Sequence, residues 1–455
     1  MADLKQLARR IFHETLAAID IPGAMQRKLR REGARLRYDD AIFDLRNFEK
    51  LRVVAIGKAA HAMVSGLAAV LAPFVRFEGV VSAPTAALKP LPGMKYFVAG
   101  HPMPNEESWK AAEAILALLK SCDERTLVFF LLSGGASALV ELPLDRGVTL
   151  EEVQQVNRTL VTCGAPIETI NAVRKHVSAV KGGRLATAAN NATKITLAVS
   201  DVPVGKESAL ASGPTLPDPT TVADVKRILV EYSLREKLPE SLRRRFDEGR
   251  IPETPKGDAP AFRKAHFSLL LGMDDLFHPA HHAAEAKGCI ACCDNATDDW
   301  EVEKAVEYLL AQLEELREMH RGQRVALIAD GEVSSPVAGN GIGGRNSAFV
   351  LACVERIAGK RIAVLSCGTD GIDGNSPAAG AVADGETLER ARMAGLDPGD
   401  AFRRSDAFTF FCLDFLLGLE MTGLAIVLTA PPLAGILANL GVSTQDSFSY
   451  GYIIY

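Results

Sequence analysis

The sequence predicts an α/β protein of two domains, the first built on a parallel sheet covered on both faces. Three observations carry this prediction. Residues 51–57 (LRVVAIG), 126–132 (TLVFFLL) and 195–200 (ITLAVS) are nearly continuous apolar runs of strand length, and strands without polar alternation are those buried on both sides of a sheet. Segments of helical period separate them, which is the alternation a parallel sheet requires. A second series of strands and helices resumes after a stretch rich in proline and glycine between 245 and 264.

In chain order, Leu4, Leu7, Ala8, Ile11, Phe12 and Leu16 recur at helical spacing, so 3–19 reads as a helix. The run 51–57 ends at Gly57, and a helix of small residues opens at Lys58. The run 126–132 leads into Ser133-Gly134-Gly135, and 195–200 leads into Asp201. Gly249, Pro252, Pro255, Gly257 and Pro260 then stand among charged residues and mark a linker. Beyond it come a strand at 267–271, a helix to Lys287, a strand at 289–293, a long helix over 300–320, a strand at 324–329, a helix after Arg345 and a strand at 361–367. These place a first domain at 1–245, a linker at 246–264 and a second domain at 265–455, with the helix 3–19 free to pack on the second.

The 455 residues include 51 basic and 56 acidic side chains, a net charge of −5, with 48% apolar and 24% charged residues. This is the composition of a soluble protein. A pI near 6.1 argues against a general nucleic-acid binder, which needs a concentrated basic face. No apolar h-region follows Met1, so a cytoplasmic location is expected, with no membrane partner. Eight cysteines are too sparse for a disulfide framework. His278, His281 and His282 with Cys289, Cys292 and Cys293 have a zinc-like spacing, but neighbouring cysteines on a strand face opposite sides and a core reading is preferred. The tail is unusual. From 421 to 455 the one charged residue is Asp446, where the chain average gives about eight. Pro431-Pro432 at the centre of 421–442 argues against a membrane span. A buried strand and hairpin, or a local change of reading frame, are the expectations for this tail.

Candidate chemistry gathers at the carboxyl ends of the predicted strands, where open α/β sheets place their ligands. Lys58 stands at a helix start, where it adds a mobile cation for phosphate or carboxylate. Ser133, Gly134, Gly135, Ala136 and Ser137 let the backbone approach a ligand and aim N–H groups at phosphate oxygens. Arg174 and Lys181 lie in a basic stretch that reads equally as a phosphate site or a solvated face. Asp201, directly after a buried strand, suits Mg2+ or a proton. The loop Gly339-Asn340-Gly341-Ile342-Gly343-Gly344 matches G-x-G-x-x-G in form only, because no strand leads directly into it and no acidic residue lies about 20 positions on. It does bring Arg345 and Asn346 to a helix start, where a guanidinium can grip an anion with two parallel bonds. Asp370 and Asp373 form a pair in a glycine-rich turn that suits Mg2+ or a general base. No Walker A sequence is present.

Longer motifs join these residues: AIGKAA at 55–60, GHPMPNE at 100–106, LSGGASAL at 132–139, NAVRKHVSAVKGGRLA at 171–186, SDVP at 200–203, ASGPTLPDPTT at 211–221, GGRN at 343–346 and GTDGIDG at 368–374. Together, over about 1–415, they resemble the glycerate 2-kinase, or MOFRL, family. The resemblance implies an ATP- and Mg2+-dependent kinase acting on the C2 hydroxyl of D-glycerate. It also implies two α/β domains, the first Rossmann-like, with the active site in the cleft between them. Lys58, Arg345 and Asp201 correspond to the family's catalytic lysine, arginine and SDV carboxylate. Some members carry the name hydroxypyruvate reductase, which the failed dinucleotide pattern disfavours; a nucleotide-binding homologue without turnover is a further alternative. Val204-Gly205-Lys206-Glu207 stands where the family usually shows Gly-Asp-Asp, and 429–436 replaces an expected T-G-P-T-G-T-N loop. A homodimer is left open.

Overall fold

The computed structural model describes residues 2–72, 76–145, 147–161, 163–189, 191–200, 207–272, 274–298, 300–331, 333–369, 371, 373–412 and 449–454. The chain divides into two compact units, residues 21–272 and residues 1–20 with 273–455.

In the unit 21–272 the strands are β1 (Leu29–Glu32), β2 (Arg35–Tyr38), β3 (Ala41–Asp44), β4 (Lys50–Ile56), β5 (Glu78–Ala83), β6 (Met94–Val98), β7 (Thr126–Leu132), β8 (Thr193–Val199) and β9 (Ala265–Leu271). The first three make a small antiparallel sheet. The other six form one sheet in the order β6-β5-β4-β7-β8-β9, with every pairing parallel. Apolar TLVFFLL makes β7 buried at all its positions, as its place between two parallel neighbours demands. The chain starts this sheet at its middle, builds outward to one edge, then returns beside its start to build the other half. This is the doubly wound Rossmann order, and it opens a crevice at the carboxyl ends of β4 and β7, where the order reverses.

The domain boundaries read from the sequence need correction. β9 pairs with β8 as the sixth strand of the first sheet, so the boundary lies after it. The stretch 246–264 is packed rather than loose: Thr254 is 2% and Ile251 7% exposed, and Gly183 lets the segment sit close, since a Cβ there would lie 2.8 Å from the Phe262 ring. Proline and glycine make this segment irregular, but its apolar side chains still dock.

The second unit contains β10 (Cys289–Asp294), β11 (Arg324–Asp330), β12 (Ala363–Gly368), β13 (Gly380–Asp384) and β14 (Ser449–Ile454). Their order is β10-β11-β14-β12-β13. Only β10 and β11 run parallel; β14 is antiparallel to both of its neighbours, and β13 to β12. A strand near the chain end, expected from the tail, therefore fills the centre of this sheet. The hairpin expectation and the divergent loop 429–436 lie outside the described residues. The helix Val302–Met319 lays Val306, Leu309 and Leu313 against Val325 and Leu327 of β11, each such side chain worth roughly 1.5–3 kcal/mol of burial. The amino-terminal helix Ala2–Ala18 belongs to this unit: Leu7, Ala8 and Ile11 are at most 2% exposed, and Glu14 pairs with Lys287 at 2.7 Å. No helix of the described residues is long and apolar enough to cross a membrane.

Candidate active site

Two strand-end turns are laced together at the switch point of the first sheet. Ser133 donates its N–H to Ile56 O at 3.0 Å, Lys58 N–H donates to Gly134 O at 3.0 Å, and Ala59 N–H donates to Ser133 Oγ at 3.0 Å. Gly57, at φ +132°, admits this contact, since a Cβ there would stand 2.1 Å from Ser133 Oγ. The buried Ser133 hydroxyl therefore holds the turn and is not presented to a ligand. Lys58 lies in the turn before the helix Ala60–Leu71, not inside its first turn.

Beyond Ser133 the backbone turns left-handed at Gly135, φ +80°, and makes one helical turn, Ala136–Leu139. Ala136 N–H donates to Ser133 O at 3.4 Å. The N–H groups of Gly134, Gly135 and Ser137 have no hydrogen-bond partner among the described residues. Three N–H donors in a short concave turn are the backbone arrangement that receives an anion. Lys58 and His101 flank it: a Cβ on Gly135 would lie 2.9 Å from Cδ2 and 3.1 Å from Nε2 of His101, and 3.4 Å from Cγ of Lys58. The loop carrying His101 is fixed on its amino-terminal side, by Ala99 N–H to Ala83 O at 2.9 Å and by Gly100 N–H to Ser108 Oγ at 3.2 Å. His101 escaped the residue-by-residue reading, although its motif did not.

Lys181 supports this turn from behind. Lys181, 2% exposed, donates to Ser137 O at 2.8 Å and pairs with the Glu141 carboxylate. Burial pushes its ammonium below the ordinary lysine range, against the pull of Glu141. Arg174 donates to Asn157 Oδ1 at 3.0 Å beside a cavity lined mainly by Val148, Val153, Val156 and Leu242, and burial lowers its pKa as well. The assignment of Lys181 as a phosphate ligand is corrected accordingly, while Arg174 is engaged by Asn157 through Nε. Lys175 is not solvated either: it is buried against Asp218 at 3.3 Å. Ser137 Oγ lies 3.1 Å from Ser212 Oγ, which donates to Asn171 Oδ1 at 3.0 Å. Ala211 and Ser212 hold φ of +53° and +59°, strained values that non-glycine residues adopt only when the surroundings impose them.

In the second unit, Arg345 and Asn346 open the helix Arg345–Cys353. Asp373 accepts from Asn346 N–H at 2.9 Å, Asn346 Nδ2 at 3.2 Å, Gly344 N–H at 3.1 Å, Ser347 N–H at 2.9 Å and Ser347 Oγ at 2.5 Å. Both oxygens of this buried carboxylate are thus committed to a helix start, and Asp373 does not fit as a Mg2+ ligand. Asn346 is buried too, accepting from Ser366 Oγ at 2.7 Å. Arg345 and Asn346 line a small open pocket together with Asp330, Thr297 and Ser366. Asp330, 5% exposed at the end of β11, is a hard oxygen donor that fits a divalent cation in kind. The signal that singled out Asp201, a carboxylate closing a buried strand, would have found it. Asp201 and Asp370 lie outside the described residues.

The glycines at 339–344 serve protein packing. A Cβ on Gly339 would lie 2.3 Å from Arg404 O, and one on Gly344 2.3 Å from Asp373 Oδ1. No strand leads into this loop, as the sequence already indicated. Among the described residues no cysteine joins a metal-ligand grouping; His281, His282 and Glu285 come within 4.8 Å of one another on a helix surface.

Two family models match the chain, a domain of unknown function (DUF4147) over residues 7–247 and the MOFRL family over residues 325–425. The chain is 34% identical to the D-glycerate 2-kinase of Thermotoga maritima over 85% of its own length and 88% of that protein's. It is also 34% identical, over 90% of its length and 89% of the relative's, to an Agrobacterium vitis protein named as a hydroxypyruvate reductase. The crystal structure of a Thermotoga maritima glycerate kinase superposes with a TM-score of 0.75 at 30% identity, covering 100% of this chain and 99% of that one. Family models, identity over most of both chains and fold agree, and the chain belongs to the glycerate 2-kinase family of phosphotransferases.

Proposed function

We propose that this protein transfers the terminal phosphoryl group of ATP to the C2 hydroxyl of D-glycerate, giving 2-phosphoglycerate and ADP, as a cytoplasmic enzyme. The observation that carries the reading is the turn after β7, where three N–H groups have no hydrogen-bond partner among the described residues and Lys58 stands close by. Backbone donors fixed before the substrate arrives need no reorganisation when charge develops, and phosphoryl transfer is mostly positioning plus electrostatic stabilisation. In this proposal Lys58 neutralises phosphoryl charge and Arg345 provides a second cation, for phosphate or for the glycerate carboxylate. Asp201 and Asp370 remain the proposed Mg2+ ligands, with Asp330 added and Asp373 withdrawn; when bound, the ion supplies neutralisation of the triphosphate.

Lys58→Ala and Arg345→Ala should each lower the rate on the order of 10²–10⁴-fold while leaving the fold intact. ADP release with D-glycerate, followed by phosphorus NMR of the product, measures both the rate and which oxygen is phosphorylated. Unchanged turnover in both variants would remove the assignment. The relative named as a hydroxypyruvate reductase supports a second reading, which NADH oxidation with hydroxypyruvate tests directly. The packing of the 339–344 glycines against protein weighs against it.

A further inference from the structure

We propose that His101 is the group that takes the proton from the acceptor hydroxyl; this role rests on the kinase reading above. The argument begins with what surrounds the anion-receiving turn. A lysine ammonium has donors but no acceptor lone pair, so Lys58 can hold charge but cannot receive the proton. Ser133 Oγ accepts from Ala59 N–H at 3.0 Å, and Ser137 Oγ lies 3.1 Å from Ser212 Oγ. Both are weak bases already engaged. Glu141 sits behind the turn, bound by Lys181 and by Ser178 Oγ at 2.6 Å.

His101 is placed differently. Its ring edge lies over the α-carbon of Gly135, side by side with Lys58, while the residue itself is exposed. The loop that carries it is anchored at Ala99 and Gly100 and runs into an Asn105 capping box on the helix Glu106–Lys120. An imidazole held by such a loop, next to a phosphate-binding turn, can meet a substrate approaching from solvent. Among the described residues, Lys58 faces it from the β4 turn, and the β7 turn carries glycine, alanine and serine. On its own segment the nearest acidic residues in sequence are Glu106 and Glu107.

The proposed step balances with the substrates of the reaction alone. The acceptor O–H bond breaks and its proton passes to an imidazole nitrogen of His101. The oxygen forms a bond to the terminal phosphorus of the nucleoside triphosphate, the bond from that phosphorus to the bridging oxygen breaks, and the diphosphate leaves with the electron pair. The imidazolium then loses its proton to water.

The test is the pH dependence of kcat at saturating ATP and D-glycerate in wild type, His101→Gln and His101→Ala. An imidazole ordinarily titrates near pH 6.5, so wild-type kcat should fall on the acid side between pH 5 and 8. His101→Gln should lose about 10²-fold in kcat, with KM for ATP held within about threefold, and should lose that acid limb. Ionisation of ATP itself acts equally on both enzymes, so the difference between the profiles is what is read. Added imidazole should restore part of the His101→Ala rate, because the position is open to solvent. Full kcat in His101→Gln, an acid limb that survives the substitution, or a change confined to KM for ATP would overturn the role. Should neither variant fold, His101→Asn takes their place in the same comparison of profiles, and a wild-type kcat flat from pH 5 to 8 refutes the proposal by itself. Loss of rate in Lys58→Ala with full rate in His101→Gln rejects this role and leaves the kinase reading standing. No phosphorylation of D-glycerate by wild type rejects the kinase reading itself.

Discussion

Asp373 is an acidic residue in a glycine-rich turn, a pattern that reads as metal-binding until its neighbours are counted. Five donors from Gly344, Asn346 and Ser347 converge on it, and it is 2% exposed. Removing the carboxylate leaves buried donors without acceptors, so Asp373→Ala should cost about 2–4 kcal/mol by urea unfolding. A loss confined to Mg2+ affinity, with stability unchanged, would restore the metal role. Lys194, 2% exposed at the start of β8, donates to Ala192 O and Ala261 O, both at 3.0 Å. Burial pushes its pKa down to about 8 from 10.5. Between these values the unfolded chain binds the proton more tightly than the folded one, so stability rises with pH across that window. Urea titrations of wild type and Lys194→Met from pH 8 to 10 should show the wild type gaining on the variant. A constant difference would show that the amine keeps its ordinary affinity for protons.

At the scale of elements, strands buried on both faces were legible because burial removes every polar position, as in β7 and β8. The short strands β1–β3 and the edge strand β6 were not, since partial exposure leaves charged residues in them, as in RLRY of β2 and MKYFV of β6. The turns at the ends of β4 and β7 were visible from their glycines, but the interlacing that uses up Ser133 is a contact between residues 74 positions apart. Gly135 concentrates this: its φ of +80° disfavours any side chain, and a Cβ would press on His101. Gly135→Ala should lower kcat/KM at least about tenfold and cost about 1–3 kcal/mol of stability. Steady-state kinetics with the same urea assay measures both, and an unimpaired variant would argue that the turn takes no part in the reaction.

For the whole molecule, the chain end decides the architecture of the second unit. β14 pairs along six residues with β12 and along five with β11. Deleting 449–455 removes the central strand and leaves two open edges, which invites association of chains. Such a truncation should aggregate, or lose the upper part of its thermal transition, as read by light scattering and calorimetry; a monomeric, equally stable product would show that β14 is dispensable. The sequence by itself determined the α/β class, the family and the strand ends at which the chemistry gathers, because periodicity, glycine turns and long collinear motifs are local properties. Only the tertiary structure decided where the units divide, that the tail strand stands mid-sheet, that Lys181 and Asp373 are supports, and that His101 stands beside Lys58. Those outcomes depend on which groups meet across the fold, and hydrogen bonds between distant residues leave no period in the sequence.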